Sequence, residues 1–580
     1  MVAIPSESTS ARGADVGIAG GGLLAGAVLA TIYLISAPLF MLLASAFRGP
    51  RDMLPFEPGT QWTFANLASI YADKTLYSAV IPNTLVFTAG SVTLTFTIAF
   101  TLAWLVERTD MPLRTTVFTV VLFPLLVPGI ILGIAWILLL APRTGLLNLA
   151  IRATFGLGGD GPLNIFSMGG LIFAQGIALV PFVFLLLTAA LRSMNPVLEE
   201  ASNTSGASPA VTFFRVTLPI LRPGILAPLI LATLVTLEQF EMPLILGLPA
   251  RVSVFATRIY FELNPDTDLP AYGRAAAVAL PFLAAGMLLL WFYNRMTRRA
   301  DRFVTITGKG YRPTRIEIGR WKLPALAFVT LYAAFAAILP ALVLVWASLF
   351  GYQSPSWAAL SQVNPTGYVN MVYSARFWMA VRNTFLVAGG SAVLVTIIGA
   401  LLSWTILRTR WPGRGVLDFV SFLSIGIPSV IAGLACMMLY LSLPIGLYGT
   451  VWVLILAYSY RLAVTTRLSK AALTQIHGEL EEASHVAGGS WLTTIRRVVL
   501  PLLAPSLLAS FVLLFIIGFR EFTLPVLLQS RENEVLSVIM WKLFIGNQTS
   551  QAAAVGTTIV VLIIPVIFLM RRLLLGREAT

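Results

Sequence analysis

Glu200-Ala201-Ser202-Asn203-Thr204-Ser205-Gly206, followed by Val216-Thr217-Leu218-Pro219, returns later in the chain as Glu482-Ala483-Ser484-His485-Val486-Ala487-Gly488, followed by Val498-Val499-Leu500-Pro501. Every matched position is 282 residues from its twin. Each copy is a short polar stretch between long apolar ones. A carboxylate near a helix start is favourable, a glycine permits a tight turn or close backbone approach, and Pro219 and Pro501 are read as stops before the next helix. A single copy would pass for an ordinary capped loop. Two copies at the same place in the pattern mark a duplicated functional element, with Glu200, Ala201, Gly206, Glu482, Ala483 and Gly488 as its candidate residues.

The composition settles the solvent. Of 580 residues, 57% are hydrophobic and only 11% charged, and the mean hydropathy is +0.86. So much apolar surface requires lipid. The single cysteine, Cys436, excludes an internal disulfide framework. The net charge of +14 is not a nucleic-acid signature, because the basic residues cluster beside apolar runs as membrane topology requires. Residues 1–17 contain no compact cleavable signal, and the first apolar run is long enough to stay as a span. Spans of roughly 20 apolar residues are expected at 22–46, 80–106, 115–140, 168–191, 225–248 and 275–296, then at 323–349, 380–407, 416–441, 447–468, 505–528 and 553–573. Backbone groups in lipid must bond within their own segment, and no barrel alternation is visible, so the spans are helices.

The repeat runs well beyond the loops. Asn83-Thr84 recurs as Asn383-Thr384, Trp104 and Arg108-Thr109 as Trp404 and Arg408-Thr409, and Pro128 and Gly133 as Pro428 and Gly433, all 300 residues apart. The offset falls to 282 before the loops, so the first half carries 18 additional residues, which fit the polar stretch 141–167. The expected division is a first half at 1–296 with its loop at about 195–220, a basic linker at 297–322, and a second half at 323–580 with its loop at about 477–502. The linker holds Arg298, Arg299, Arg302, Lys309, Arg312, Arg315, Arg320 and Lys322 and should be cytoplasmic. Both termini and both loops then lie on that side. Two halves of like orientation imply a pseudo-two-fold axis along the membrane normal. The linker also has the charge to meet anionic membrane lipid.

The paired motif resembles the EAA loop of bacterial ABC importer permeases, the loop that docks onto a separate ATPase; Ser202 and Ser484 stand where that motif's second Ala is usual. The resemblance extends over nearly the whole chain and is narrower for the fused permeases of the ferric-iron group, through Phe303-Val304-Thr305-Ile306-Thr307-Gly308-Lys309-Gly310-Tyr311-Arg312-Pro313 and Gly161-Pro162-Leu163-Asn164-Ile165-Phe166-Ser167. It implies an all-α type I importer fold of twelve transmembrane helices in two parallel six-helix halves. It also implies two copies of a cytoplasmic ATP-binding subunit, an extracytoplasmic substrate-binding protein and a bacterial inner-membrane location. Ferric iron is the leading cargo; thiamine, polyamine and aminoethylphosphonate permeases are the alternatives within the family.

No nucleotide site is legible in the chain. Gly308-Lys309-Gly310 lacks the first glycine of a phosphate loop, since Phe303 stands there, and Gly310 replaces the hydroxyl residue. ATP and Mg therefore belong to the partner, and no cofactor is expected here. His477 and His485 lie beside the second loop without converging metal ligands. Ionisable residues inside spans are costly and usually functional. Glu238, Gln239 and Glu241 are expected in the fifth span, Arg461 in the tenth, and Arg520 and Glu521 in the eleventh. The stretch 238–243 aligns with 520–525, which puts Glu238 opposite Arg520 as a pathway lining, a gate or a static bridge. An ion-coupled secondary transporter also has twelve spans in parallel repeats, but has no use for paired docking loops.

Overall fold

The computed structural model describes residues 17–192, 194, 197–265, 268–300, 315–351, 353 and 357–575. The central part of the linker, with the 303–313 motif and Lys309, lies outside the described residues. Among the described residues the regular structure is helical apart from a two-stranded ribbon, Arg48–Gly49 against Gln61–Trp62, and a single bridge between Thr109 and Ile316. In the first half the spans are Gly17–Ala46, Ile81–Arg108, Arg114–Leu125 with Gly129–Leu140, Met168–Arg192, Leu218–Leu237 and Tyr272–Ala300. In the second they are Lys322–Ala333 with Leu339–Phe350, Ala375–Arg408, Arg414–Gly426 with Ser429–Ser442, Val451–Tyr458 with Leu462–Gln475, Leu500–Arg520 and Thr549–Leu575. Among the described residues eight helices are by themselves long and apolar enough to cross a membrane, and the two bent pairs bring the number to ten. The broken pair Val451–Tyr458 with Leu462–Gln475 and the last helix stand where the tenth and twelfth spans are expected, an arrangement that fits six plus six.

Proline shapes several of these helices. Leu76–Val80, Phe213–Thr217, Ala334–Ile338 and Ile495–Val499 widen into π turns. Each stops two residues before Pro82, Pro219, Pro340 or Pro501. Proline has no N–H for the carbonyl one turn back, so the regular ladder fails there and the turn widens. Pro219 and Pro501 thus lie inside the continuous helices Phe213–Leu237 and Trp491–Arg520, two residues past the π turn that absorbs the missing N–H. They do not end a preceding helix, as expected above.

The fifth and eleventh spans also lie earlier than hydropathy places them. Their helices end at Leu237 and Arg520, not at 248 and 528. The apolar residues beyond belong to separate short segments, Pro243–Gly247 and Thr523–Leu528. Hydropathy registers that these residues are buried but not that the backbone has turned.

The repeat pairs seen in the sequence have structural work to do. Asn83 Nδ2 donates to the Ser253 carbonyl at 3.2 Å, and Asn383 Nδ2 to the Glu532 and Glu534 carbonyls at 2.8 and 3.0 Å. Thr84 Oγ1 accepts from the Phe255 amide at 3.1 Å, and Thr384 Oγ1 from Leu536 at 3.0 Å. Each pair pins the segment that returns after the turn. The first span of each half crosses to the other: Gly17–Ala46 packs on Ala375–Arg408 and Ser429–Ser442, while Leu339–Phe350 packs on Gly129–Leu140. Phe240 and Phe522, twins in the repeat, stack on each other at 6.4 Å and 18° and mark the pseudo-dyad. The 18 additional residues form a short helix, Leu146–Phe155, held by Asn148, whose Nδ2 donates to Ala141 and Leu163 carbonyls at 3.0 and 2.8 Å.

Candidate functional site: two clamped loops and a charged break in the membrane

The motif residues form two short helices, Val197–Thr204 and Glu479–Val486. Glu200 and Glu482 sit in the first turns, as expected from the sequence. Each helix closes in the same way. The Ala207 amide reaches back to the Ser202 carbonyl at 3.1 Å, and the Gly489 amide to Ser484 at 2.9 Å. This six-to-one closure needs a left-handed residue after the helix; Gly206 and Gly488 supply it, both at φ +81. A hydroxyl bridge then ties helix to return segment, Ser202 to Thr212 at 2.9 Å and Ser484 to Thr494 at 2.8 Å. In the second copy His485 Nδ1 also lies 3.0 Å from the Gly489 carbonyl. Ala201, Gly206, Glu482, Ala483 and Gly488 are exposed, and Val486 is 90% exposed, so the outer face of each helix is open.

The inner face carries residues that the sequence reading passed over. Glu199 pairs with Arg108, and its Oε1 accepts from Thr217 Oγ1 at 2.6 Å. Glu481 pairs with Arg408 at 2.8 Å and accepts from Trp404 Nε1 at 3.1 Å. Arg408 also donates to the Ile476 carbonyl at 2.6 Å, closing the C-terminus of the helix before the loop. Each loop is therefore clamped by its first-turn glutamate to the last residue of the second span of its half. Arg108 and Arg408 are repeat markers in the sequence. Their link to Glu199 and Glu481 was hidden because the partners are 91 and 73 residues apart. The linker touches only the first clamp among the described residues. Ile316 exchanges backbone hydrogen bonds with Arg108 and Asp110 at 3.0 and 3.1 Å, and Lys322 pairs with Asp110 at 2.6 Å.

The second focus lies where helices break. The third and ninth spans bend by 95° and 112°, and in both a proline, Pro128 or Pro428, precedes a new helix starting at Gly129 or Ser429. The first amides of a helix have no partner within it and carry partial positive charge. Glu241 faces the first of these starts: an added Cβ on Gly129 would come within 2.2 Å of its Oε2. Glu238 faces the second, at the Ser429 amide. Arg461 stands at the break of the tenth span. Its guanidinium pairs with Glu521, donates to Ser429 Oγ at 3.1 Å and lies over the Tyr460 ring at 5.2 Å. Glu521 Oε1 also accepts from the Thr523 amide at 3.1 Å.

The central ion pair is thus Arg461–Glu521, and the expected opposition of Glu238 to Arg520 is corrected. Glu238 lies just past the end of the fifth helix, whereas Arg520 is the last residue of the eleventh. The charged neighbours of Glu238 are Arg461 and Glu521, and those of Arg520 are Glu241 and Glu521. Arg461 does not snorkel to a headgroup; it turns inward. Gln239, Glu241, Arg520 and Glu521 line a cavity of about 240 Å³ together with Gln175 and Leu179. Arg520 Nε is buried there without a hydrogen-bond partner. Three carboxylates and two guanidiniums gather at the break, an arrangement that offers a polar passage in lipid. Among the described residues no three His, Cys, Asp or Glu side chains converge as a metal site needs.

Comparison with known proteins agrees with both halves of this picture. The model of the family described as binding-protein-dependent transport system inner membrane component matches twice, at residues 95–302 and 392–575. The ferric transport system permease protein FbpB of Actinobacillus pleuropneumoniae is 27% identical over 504 residues, 84% of this chain and 70% of that one. The Fe(3+)-transport system permease protein FbpB 2 of Haemophilus influenzae is 23% identical over 72% of this chain and 75% of its own length. The sulfate transport system permease protein CysT of Salmonella typhimurium is 30% identical, but over only 28% of this chain and 63% of its own. Two matches of one family model, falling on two structurally equivalent halves, place this chain in the binding-protein-dependent transport system inner membrane component family as a multi-pass permease with both halves fused.

Proposed function

We propose that this chain is the membrane core of an ATP-driven importer that carries ferric iron into the cytoplasm of a bacterium. The observation that carries the reading is the pair of matched helices, Val197–Thr204 and Glu479–Val486, each clamped from within and open on its outer face. A helix held rigidly at the base and exposed outside is suited to receive force from a docked partner. Two such helices call for two copies of a cytoplasmic ATP-binding subunit, which hold the ATP and Mg; the chain needs no cofactor of its own. The loop-bearing end is assigned to the cytoplasm, with both termini, on the strength of Arg192, Arg315, Arg320 and Lys322 near it and the basic linker. An extracytoplasmic binding protein then delivers cargo at the opposite end. The division at 1–296, 297–322 and 323–580 follows from the same duplication.

Iron is supported by the names of the relatives that align over most of the chain and by the acidic excess at the break, which suits a hard cation. Closure of the ATPase dimer would move both loops, rock the halves and open the passage beside Glu238, Gln239, Glu241, Arg461, Arg520 and Glu521 to alternate sides. The test is uptake of radiolabelled ferric iron into proteoliposomes holding this chain and its ATPase. Uptake requiring both ATP and the iron-loaded binding protein supports the proposal; uptake of another solute alone, sulfate for instance, rejects iron.

A further inference from the structure

We infer that the membrane core offers its cargo one station rather than two, placed in the first half, and that Tyr460 and Arg461 plug its twin in the second. The inference rests on the importer reading and deepens it. The cavity of about 240 Å³ does not lie on the pseudo-dyad. Most of its lining, including Gly129, Gln175, Ala178, Leu179 and Glu241, comes from the first half. The repeat gives the counterpart of every one. Gly129 becomes Ser429, Gln175 becomes Ala457, and Ala178-Leu179 becomes Tyr460-Arg461. The fourth span runs unbroken through Ala178 and Leu179, and these small and apolar side chains leave space. The tenth span breaks at the matching place. There Arg461 reaches Ser429 and Glu521, and the Tyr460 hydroxyl comes within 3.4 Å of Ser429 Oγ. The second half fills with its own side chains the position that the first half keeps open.

The size and lining define the class of cargo. A water molecule takes about 30 Å³ of liquid volume, so the cavity accommodates a small ion with a first shell of oxygen ligands. No three carboxylates or imidazoles converge among the described residues, so the ion keeps ligands of its own rather than exchanging all of them for protein groups. Glu241, Gln175 and Gln239 present oxygens to a hard cation, and Arg520, with its unpartnered buried Nε, faces the water or anionic ligands that come with it. The station therefore fits an oxygen-ligated hard cation, one at a time.

The experiment uses the full chain with its ATPase and binding protein, in a Cys436→Ser background that removes the only native thiol. Ala178→Cys and its control Ala457→Cys, the twin of Gln175, are treated with a small cationic methanethiosulfonate. Mass spectrometry is expected to find the adduct on Ala178→Cys and none on Ala457→Cys. Ferric uptake is expected to fall about a hundredfold only in the labelled Ala178→Cys protein, because a cargo held out of place loses its productive geometry. Leu179→Arg, which copies Arg461 into the first half, should lose uptake likewise. Leu185→Arg, the same change outside the cavity at the twin of Arg467, should keep it. Adducts at both cysteines, no adduct at Ala178→Cys, or undiminished uptake after full labelling overturns the one-sided station. If the unlabelled protein imports no iron at all, the ferric reading fails, while the adduct pattern still decides whether the station is one-sided.

Discussion

In the first half Arg108 holds Glu199, and in the second Arg408 holds Glu481, with glycines at the same φ of +81 closing both helices. Thirty or so residues on, the likeness ends. Beyond the fifth span stand Glu238, Gln239 and Glu241; at the eleventh stand Arg520 and Glu521, joined by an Arg461 whose twin is Leu179. The regions that would meet identical partners share the same clamp and the same closing glycine, and the region that would meet one asymmetric cargo differs between the halves. Fusion into one chain makes this possible, because each half can mutate without imposing the change on the other.

The largest expected effect tests the conserved part. Arg108→Met strands the partly buried Glu199 and Arg408→Met the buried Glu481, a loss of up to about 3–5 kcal/mol. Thermal unfolding in detergent and retention of the ATPase on purification should both fall, by similar amounts for the two variants. Tolerance of one and not the other would break the equivalence of the clamps, and would point to the linker, which bonds only to the Arg108–Asp110 turn among the described residues.

Next comes the divergent part. Arg461→Met leaves Glu521 without its partner and should cost about 3–5 kcal/mol, most of it recovered when Glu521→Gln is added. Leu179→Met, a volume-conserving change at the twin position, should cost less than about 1.5 kcal/mol. Unfolding midpoints decide the matter. Equal costs for Arg461→Met and Leu179→Met would show that the two positions are more alike than their contacts indicate.

Gly206→Ala and Gly488→Ala return to the likeness at smaller scale. A side chain at φ +81 is strained by about 1–2 kcal/mol, and nothing within 4 Å crowds an added Cβ in either copy, so both variants should lose the same modest amount. Hydrogen exchange of the two loop helices reads this directly. A loss confined to one copy would separate the loops.

The smallest effect contrasts the returning segments. Glu534, in the loop after Thr523–Leu528, is bonded by Arg376 and Lys542 at 2.5 and 2.6 Å. Burial pushes its carboxyl up, but the two cations outweigh that and hold it below its ordinary value. A carboxyl whose folded value is depressed stabilises the fold fully above its unfolded value, near about 4.3, and loses that stability as pH falls through the folded value. Glu534→Gln should therefore flatten the acid limb of stability against pH and leave neutral behaviour little changed in shape. An unaltered acid limb would remove Glu534 from the account.

Much of this was legible in the residues. Twelve apolar runs, a repeat carried at offsets of 300 and then 282, and two copies of one motif were enough for the architecture and for the place of the two short polar helices. The helix breaks were harder. Hydropathy averages over a window and reports burial, so 225–248 reads as one span although the helix ends at Leu237 and the chain turns before Pro243. Pro128 and Pro428 mark the repeat, but a proline alone does not give a bend of 95° or 112°. The pairing of Arg461 with Glu521, sixty residues away, depends on that geometry and left no trace in local pattern. Glu199 and Glu481 could have been found: each precedes the motif glutamate by one residue, and on a short helix adjacent positions face different ways, so one of the two acidic positions is free to meet the scaffold.

The central claim is that one copy of this chain carries two equivalent docking loops for two ATPase subunits. Native mass spectrometry of the complex purified through this chain tests it most directly, with Glu200→Arg, Glu482→Arg and the double variant alongside. One chain with two ATPase subunits is predicted, falling to a mixture with one in each single variant and to none in the double, since reversing one partner of a charged pair costs about 2–5 kcal/mol where docking buries that pair. A chain that purifies without any ATPase and drives uptake from a proton or sodium gradient, or a double variant that keeps both subunits, would contradict the account.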